Sequence, residues 1–81
     1  MAIVNGSAQG GAQRVKIAKN SSVVIEVTAD SSETIHIHGY DIESDVGPAQ
    51  AATFSFNANV GGVFVVEIHR NNRKILELEV K

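Results

Sequence analysis

The stretch TIHIHGYD, residues 34–41, contains the clearest metal-binding chemistry in this chain, because it places His36 and His38 two residues apart. Ile35 and Ile37 alternate with them, so on a β-strand the two imidazoles share one face and the isoleucines share the other. Side chains at positions i and i+2 of a strand are parallel and about 7 Å apart, so two imidazoles can converge on one Zn(II) or Cu(II) ion. The alternative is that both rings are polar outward residues, or partly buried rings hydrogen-bonded to the backbone.

Glu67 and His69 extend the candidate ligand set. Both belong to the segment VFVVEIH, residues 63–69, and the alternation of that segment places them on one face. Three imidazoles and a carboxylate satisfy a tetrahedral Zn(II) site or a Cu(II) site, so we predict a metal site formed by His36, His38, His69 and Glu67. Whether the strand ends meet depends on topology, and the alternative for His69 is a solvated residue at the start of a turn.

Asp41, Glu43 and Asp45 occupy alternate positions in the segment DIESD. If that segment is extended, it presents an acidic stripe with the oxygen ligands that hard cations prefer. The segment lacks the glycine and the distal glutamate of a calcium loop. We therefore predict a solvated edge, where charged side chains also oppose sheet-to-sheet aggregation.

Sequence motifs for catalysis are absent. No serine lies in a nucleophile elbow, and no phosphate-binding glycine loop follows a strand. Tyr40, the only tyrosine, is predicted to be a packing residue with a hydrogen-bonded hydroxyl. The expectation is that the chain is not an enzyme; the weaker alternative is a histidine cluster that holds a metal hydroxide.

Composition narrows the class of protein further. The chain has 81 residues, which predicts one domain, and no cysteine, which excludes disulfides and thiolate ligands. A net charge of −2 gives no electrostatic basis for binding nucleic acid or an anionic membrane. No apolar run approaches the roughly 18–20 residues of a transmembrane helix, and residues 1–4 lack the length and basic start of a signal peptide.

Hydrophobic residues alternate with polar ones along most of the chain, which is typical of half-buried β-strands. Turn-forming segments rich in Gly, Asn, Ser and Asp separate the alternating runs. We predict an all-β Greek-key β-sandwich of two sheets with about seven strands in the whole chain. Residues 13–81 form the sandwich, and residues 1–12 form a flexible N-terminal arm or short edge strand. The predicted strands are AIV, RVKIA, SVVIEVTA, TIHI, TFSFNA, VFVVEIH and ILELEV.

Four apolar residues fall on faces that the alternation assigns to solvent. They are Val24, Val63, Val65 and Ile75. Apolar residues on an outward face can mark a second covered surface, so a protein partner or a homodimer is one expectation for this chain.

Two long segments resemble cupredoxin-like domains of bacterial extracytoplasmic proteins. They are SSVVIEVTADSSETIHIHGYDIESDV and AATFSFNANVGGVFVVEIHRNNRKILELEV, and the resemblance covers about residues 13–81. The combination of HIHGYD with GVFVVEIH is the more specific part. The resemblance implies a cupredoxin-like sandwich and a periplasmic or secreted location, with His36 or His38 and His69 brought to one pole of the sandwich.

The resemblance also implies a copper site that this chain cannot complete. The family's copper-binding cysteine is expected near Ile68 and His69, and the following loop has no second histidine and no methionine. A blue-copper centre needs the thiolate, so type 1 electron transfer is excluded. The expected function is a non-catalytic domain that binds Cu(II) or Zn(II) through histidines. The alternative is a metal-free accessory or protein-interaction domain that has kept the fold and lost the copper site.

Overall fold

Every regular element of this protein is a β-strand, and the computed structural model describes all residues, Met1–Lys81. No helix long and apolar enough to cross a membrane is present. The all-β prediction is confirmed, but the strands number nine rather than about seven. They are β1 (Ala2–Val4), β2 (Ser7–Ala8), β3 (Gln13–Ile17), β4 (Ser22–Ala29), β5 (Glu33–Ile37), β6 (Ile42–Val46), β7 (Ala52–Asn57), β8 (Gly62–Ile68) and β9 (Arg73–Val80).

The strands form two mixed sheets. The four-stranded sheet has the order β2-β1-β4-β7, and the five-stranded sheet has the order β3-β9-β8-β5-β6. Parallel pairing joins β1 to β4 and β3 to β9, and all other pairs are antiparallel. The chain passes repeatedly from one sheet to the other, and the apolar faces of the two sheets close over a common core. The predicted two-sheet sandwich is thus confirmed.

The strand β2 was missed because it is only two residues long. Asn5 and Gly6 have φ angles of 53° and 77°, the positive values of a type I′ turn, and this turn folds β2 back beside β1. We expected residues 1–12 to be a flexible arm or a short edge strand. The structure instead places β1 between β2 and β4, and Ile3 lies in the core.

The strand β6 was also missed as a paired element. It forms an antiparallel hairpin with β5 across the turn at residues 38–41, and it is the outermost strand of the five-stranded sheet. Its outward side chains Glu43 and Asp45 are exposed, in agreement with the predicted solvated edge. Its inward residues Ile42 and Val46 pack towards the core.

A β-bulge in β9 changes the face on which Ile75 lies. Val66 of β8 pairs with Leu76, but the next residue, Glu67, pairs with Lys74. Ile75 is therefore the extra residue of the bulge and turns into the core, where it is fully buried. The expectation that Ile75 faces outward was wrong for this reason, whereas Val24 does face solvent with 68 % of its surface exposed.

We predict that Ile75→Ala lowers the free energy of unfolding by about 2–4 kcal/mol, because it leaves a cavity in a closed core. The matched control is Val24→Ala, which removes exposed methyl groups and should change stability by no more than about 0.5 kcal/mol. Urea denaturation of both variants measures the two values. Similar losses would show that Ile75 does not occupy the core.

Arg70 and Glu33 form an ion pair at one end of the five-stranded sheet, in which the carboxylate is buried and the guanidinium is exposed. Arg70 donates from Nε and Nη2 to the two carboxylate oxygens of Glu33 at 3.2 and 2.7 Å, and the Glu33 side chain is only 2 % exposed. The hydrogen bonds from Arg70 hold the pKa of Glu33 below its ordinary value of 4.5, although burial acts in the opposite direction. The ion pair therefore favours the charged carboxylate in the folded state.

A lowered carboxyl pKa makes the contribution of Glu33 to stability depend on pH. The contribution is complete above the ordinary carboxyl pKa and is lost as the pH falls through the lowered value in the folded protein. We predict that the free energy of unfolding of the wild type is higher than that of Glu33→Gln by a constant amount above about pH 5.5. This difference should become smaller below about pH 4.5. Urea denaturation across this range measures it, and a difference that grew on acidification would contradict the assignment.

Candidate metal centre

Two neighbouring strands of the five-stranded sheet position the candidate ligands. His36 of β5 pairs directly with Glu67 of β8 in antiparallel register. The residues on either side of this pair turn inward and are fully buried; they are Ile35, Ile37, Val66 and Ile68. The alternation of the strand then directs the His36 and Glu67 side chains to the outer face of the sheet. The prediction that the isoleucines face the core and the histidines face outward is confirmed.

His36, His38 and Glu67 form one compact group on this outer face. One ligand atom from each residue lies within 4.8 Å of the ligand atoms of the other two. The imidazole rings of His36 and His38 meet edge to face with centroids 4.4 Å apart. His38 Nε2 lies 2.5 Å from Glu67 Oε1, so the ring and the carboxylate share a hydrogen bond.

No lysine or arginine side chain forms an ion pair with Glu67, so its carboxylate is available to a metal ion. On the side away from His36, Glu67 pairs with Lys74, but the ammonium group of Lys74 lies 3.5 Å from Glu77 and forms its ion pair there. The Glu67 side chain is 15 % exposed and that of His38 is 52 % exposed, so the carboxylate is sheltered while the His38 imidazole is open to solvent.

The structure does not bring His69 into this group. His38 and His69 lie at the downstream ends of β5 and β8, and antiparallel strands have their downstream ends at opposite ends of the pair. The backbone hydrogen bonds agree, because the His38 N–H donates to Val65 and the His69 N–H donates to Thr34. The expectation that the resemblance gave, of His69 at the same pole as His36 or His38, does not match this register.

Glu43 is a polar neighbour of the site that the sequence analysis did not include among the ligands. It pairs directly with His36 from β6, so the imidazole of His36 has a glutamate on each side, Glu43 and Glu67. Glu43 Oε2 lies 3.9 Å from His69 Nδ1. The signal in the sequence was the alternation of DIESDV directly after the turn at Gly39, which is typical of a second hairpin strand.

The turn after His38 is fixed by packing against an aromatic cluster. Gly39 has a φ of 91° and lies against the ring of Phe64. Tyr40 packs on Phe64 and Phe56 with ring centroids 4.6 and 4.8 Å away, and its hydroxyl donates to the carbonyl oxygen of Val60 at 2.8 Å. The prediction of a packing tyrosine with a bonded hydroxyl is confirmed, and this cluster holds His38 at the edge of the site.

His36, His38 and Glu67 lie outside both cavities of the molecule. One cavity of about 590 Å³ is lined mostly by polar and charged residues, among them Glu33, His69 and Arg70. The other is an apolar groove of about 640 Å³ between β3 and β4. The group of His36, His38 and Glu67 therefore lies on an open surface rather than in a substrate-sized pocket.

Comparison with known proteins does not identify a family for this chain. No family model matches the chain, and no curated protein matches it. The resemblance to cupredoxin-like domains therefore stays a prediction that depends on the two quoted segments, and what the site does has to be argued from its own geometry.

Proposed function

We propose that this chain is a small β-sandwich domain that binds a divalent transition metal, Cu(II) or Zn(II), through His36, His38 and Glu67. The observation that carries the proposal is the grouping of these ligand atoms within 4.8 Å on two paired strands. Ligand atoms around tetrahedral zinc are separated by about 3.3 Å, given metal–ligand bonds of about 2.0–2.1 Å. Binding therefore requires the side chains to rotate inward while the sheet stays fixed.

The donor set defines the chemistry of the proposed site. Two neutral imidazoles and one carboxylate leave at least one coordination position for water. The same set suits both metals, and Cu(II) should bind more tightly than Zn(II), following the general order of stability of divalent metal complexes. Since no cysteine is present, the site does not support blue-copper electron transfer.

We propose binding rather than catalysis for this site. Its support is the open outer face of the sheet, which offers no enclosure for a substrate, and the position of the ligands outside both cavities. The alternative of a metal-hydroxide enzyme is tested by the hydrolysis of activated esters with and without zinc. Zinc-dependent turnover that His36→Ala abolishes would favour the enzyme.

Calorimetric titration of the metal-free protein with Cu(II) and Zn(II) tests the proposal. His36→Ala combined with His38→Ala removes two of the three ligands and should weaken binding by at least about 100-fold, since even outer-shell partners of a metal site account for 10–100-fold. His69→Ala is the matched control, because it removes an exposed histidine from the same face and should leave the affinity unchanged. Unchanged affinity in the double variant would show that the site is misassigned.

Metal affinity is expected to fall on acidification. Imidazoles must be neutral to bind a metal, and they gain protons within the physiological pH range. The apparent affinity of wild type should therefore fall on acidification, since protons compete with the metal for the nitrogens of two imidazoles. Titrations at several pH values measure the slope, and a flat profile would indicate a site built from carboxylates alone.

The second candidate function is a metal-free interaction domain. The observation that favours it is the hydrogen bond of 2.5 Å between His38 and Glu67, which gives one oxygen of the carboxylate a partner without a metal. Tight binding to the native state alone raises the melting temperature by mass action. A melting temperature that neither Cu(II) nor Zn(II) raises would favour this second function over the first.

The cupredoxin-like character and a periplasmic or secreted location remain part of the proposal. Their support is the resemblance of residues 13–81 and the two-sheet sandwich. Cell fractionation tests the location, and recovery of the chain in the cytoplasmic fraction would count against it.

A further inference from the structure

The five-stranded sheet ends in two open edge strands of opposite charge. β3 (Gln13–Ile17) pairs only with β9, and it carries Arg14 and Lys16. β6 (Ile42–Val46) pairs only with β5, and it carries Glu43 and Asp45. An open edge presents unpaired backbone N–H and C=O groups, and these form a template for another strand.

The charged side chains of both edges lie on the outer face of the sheet. Arg14 pairs across β3 and β9 with Glu77, and Lys16 pairs with Glu79, all on the polar face. Glu43 pairs with His36 across β6 and β5, which is the same outer face. The Arg14 and Glu43 side chains are 50 and 53 % exposed, so each remains accessible to a neighbouring molecule.

The strand directions make the two edges complementary. β3 is parallel to β9, β9 is antiparallel to β8, β8 is antiparallel to β5, and β5 is antiparallel to β6. β3 and β6 therefore run in opposite directions. When one copy follows another in the same orientation, β6 of the first meets β3 of the second as an antiparallel pair, which is the more stable strand pairing.

We infer that copies of this chain associate head to tail, with β3 of one copy added to β6 of the next to extend the five-stranded sheet. Both strands have five residues, and full antiparallel overlap places Arg14 opposite Asp45 and Lys16 opposite Glu43. In the same register Ile17 lies opposite Ile42, both partly buried at the edge of the core. Oppositely charged pairs directly across two strands are favourable.

Charge also selects against the symmetric alternatives. Pairing β3 with β3 brings arginine and lysine of two copies together, and pairing β6 with β6 brings glutamate and aspartate together. Like charges directly opposite each other destabilise a strand pair. The contact is therefore heterologous, and such contacts build open chains unless the rotation between copies closes a ring. A contact of two short strands is smaller than a standard interface, so the association is weak.

Dilution of the wild-type protein from millimolar concentration provides the first test. The weight-average mass from sedimentation should rise above the 8.6 kDa of one chain as concentration increases, and salt should reduce the rise because the ion pairs are exposed. Backbone amide signals in NMR spectra should shift with concentration on both β3 and β6. Shifts on one of the two strands alone, or on neither, would overturn the inference.

Variants that reverse the charge of one edge strand provide the second test. The all-acidic variant (Arg14→Glu with Lys16→Glu) and the all-basic variant (Glu43→Lys with Asp45→Lys) should each stay monomeric when folded. Their equimolar mixture should regain association, because each edge then finds an opposite charge. The matched control is Lys19→Glu with Lys81→Glu, which changes the net charge equally outside both strands.

The association of the mixed variants and that of the control variant decide whether the inference holds. A mixture of folded variants that stays monomeric would overturn the inference, and so would a control that loses association as completely as the all-acidic variant. Circular dichroism verifies folding, and if either variant fails to fold, the wild-type dilution series alone decides. None of these variants alters His36, His38 or Glu67, so the outcome is independent of the metal site.

Discussion

Gly39→Ala is expected to destabilise the domain by about 2–6 kcal/mol and to disturb the proposed metal centre. Gly39 has a φ of 91°, a value that residues with a side chain rarely adopt, and such strain costs about 1–3 kcal/mol. A Cβ atom at this position would overlap the ring of Phe64, lying only 2.5 Å from its Cε1 atom. Overpacking of a filled site costs about 1–3 kcal/mol more.

The ring of Phe64 cannot move without affecting the site. Tyr40 packs against it at a centroid distance of 4.6 Å, and Phe64 belongs to β8, the strand that also carries Glu67. Gly39 itself directly follows His38. A shift of this turn therefore changes the position of one proposed ligand relative to another. We expect weaker metal binding in the folded fraction of Gly39→Ala.

Gly10→Ala is the matched control for this prediction. Gly10 has a similar φ of 81°, but a Cβ atom there would meet nothing within 4 Å. The control therefore carries the backbone strain without the steric overlap. Urea denaturation gives both stabilities, and calorimetry gives both metal affinities. Equal losses in the two variants would show that contact with Phe64 is not what requires a glycine at position 39.

Alternation along each strand predicted which residues face the core, because the side-chain direction of a strand has a strict period of two. The period assigned Ile35 and Ile37 to the core and His36 and His38 to the outer face, and the structure agrees. This rule fails where the backbone adds a residue. Ile75 lies at such a bulge, and a bulge depends on the partner strand, so alternation alone does not reveal it.

The shortest strand illustrates a signal that was present in the sequence. Asn5-Gly6 is the dipeptide most typical of a two-residue hairpin turn, and it lies between Val4 and Ser7. Read with that rule, it predicts a hairpin in which β2 folds back beside β1. The parallel pairing of β1 with β4 is different, because it joins segments distant in sequence and no local pattern encodes it.

Some features of the candidate site follow from the alternation within one strand, and others depend on the pairing of strands that are distant in sequence. The shared face of His36 and His38 is a local property of one strand, so the sequence predicted it. The contact of His38 with Glu67 requires β5 and β8 to be neighbours in a particular register. The separation of His69 requires their antiparallel sense, since the same face can hold residues at opposite ends of a strand pair.

Phe54→Ala is expected to lower the free energy of unfolding by about 3–5 kcal/mol, the usual cost of a large cavity in a closed core. Phe54 is 1 % exposed and is the largest of the fully buried side chains. A domain of this length has a total stability of about 4–12 kcal/mol, and only 17 of its 81 residues are buried. At the lower end of that range, this loss places the variant close to its unfolding transition at ambient temperature. Phe56→Ala, two residues along the same strand and partly exposed, is the matched control and should cost less.

A marginal variant of this kind also reports on the metal centre, because a ligand that binds only the folded state shifts the folding equilibrium. Metal at about 100 times its dissociation constant adds about 2.7 kcal/mol to the stability of the folded state. Addition of Cu(II) or Zn(II) to Phe54→Ala, held at the urea concentration where it is half unfolded, should therefore restore a large part of its circular dichroism signal. The same addition to Phe54→Ala combined with His36→Ala and His38→Ala should restore none of it. Equal recovery in both proteins would place the bound metal elsewhere on the chain, and no recovery in either would favour the metal-free domain.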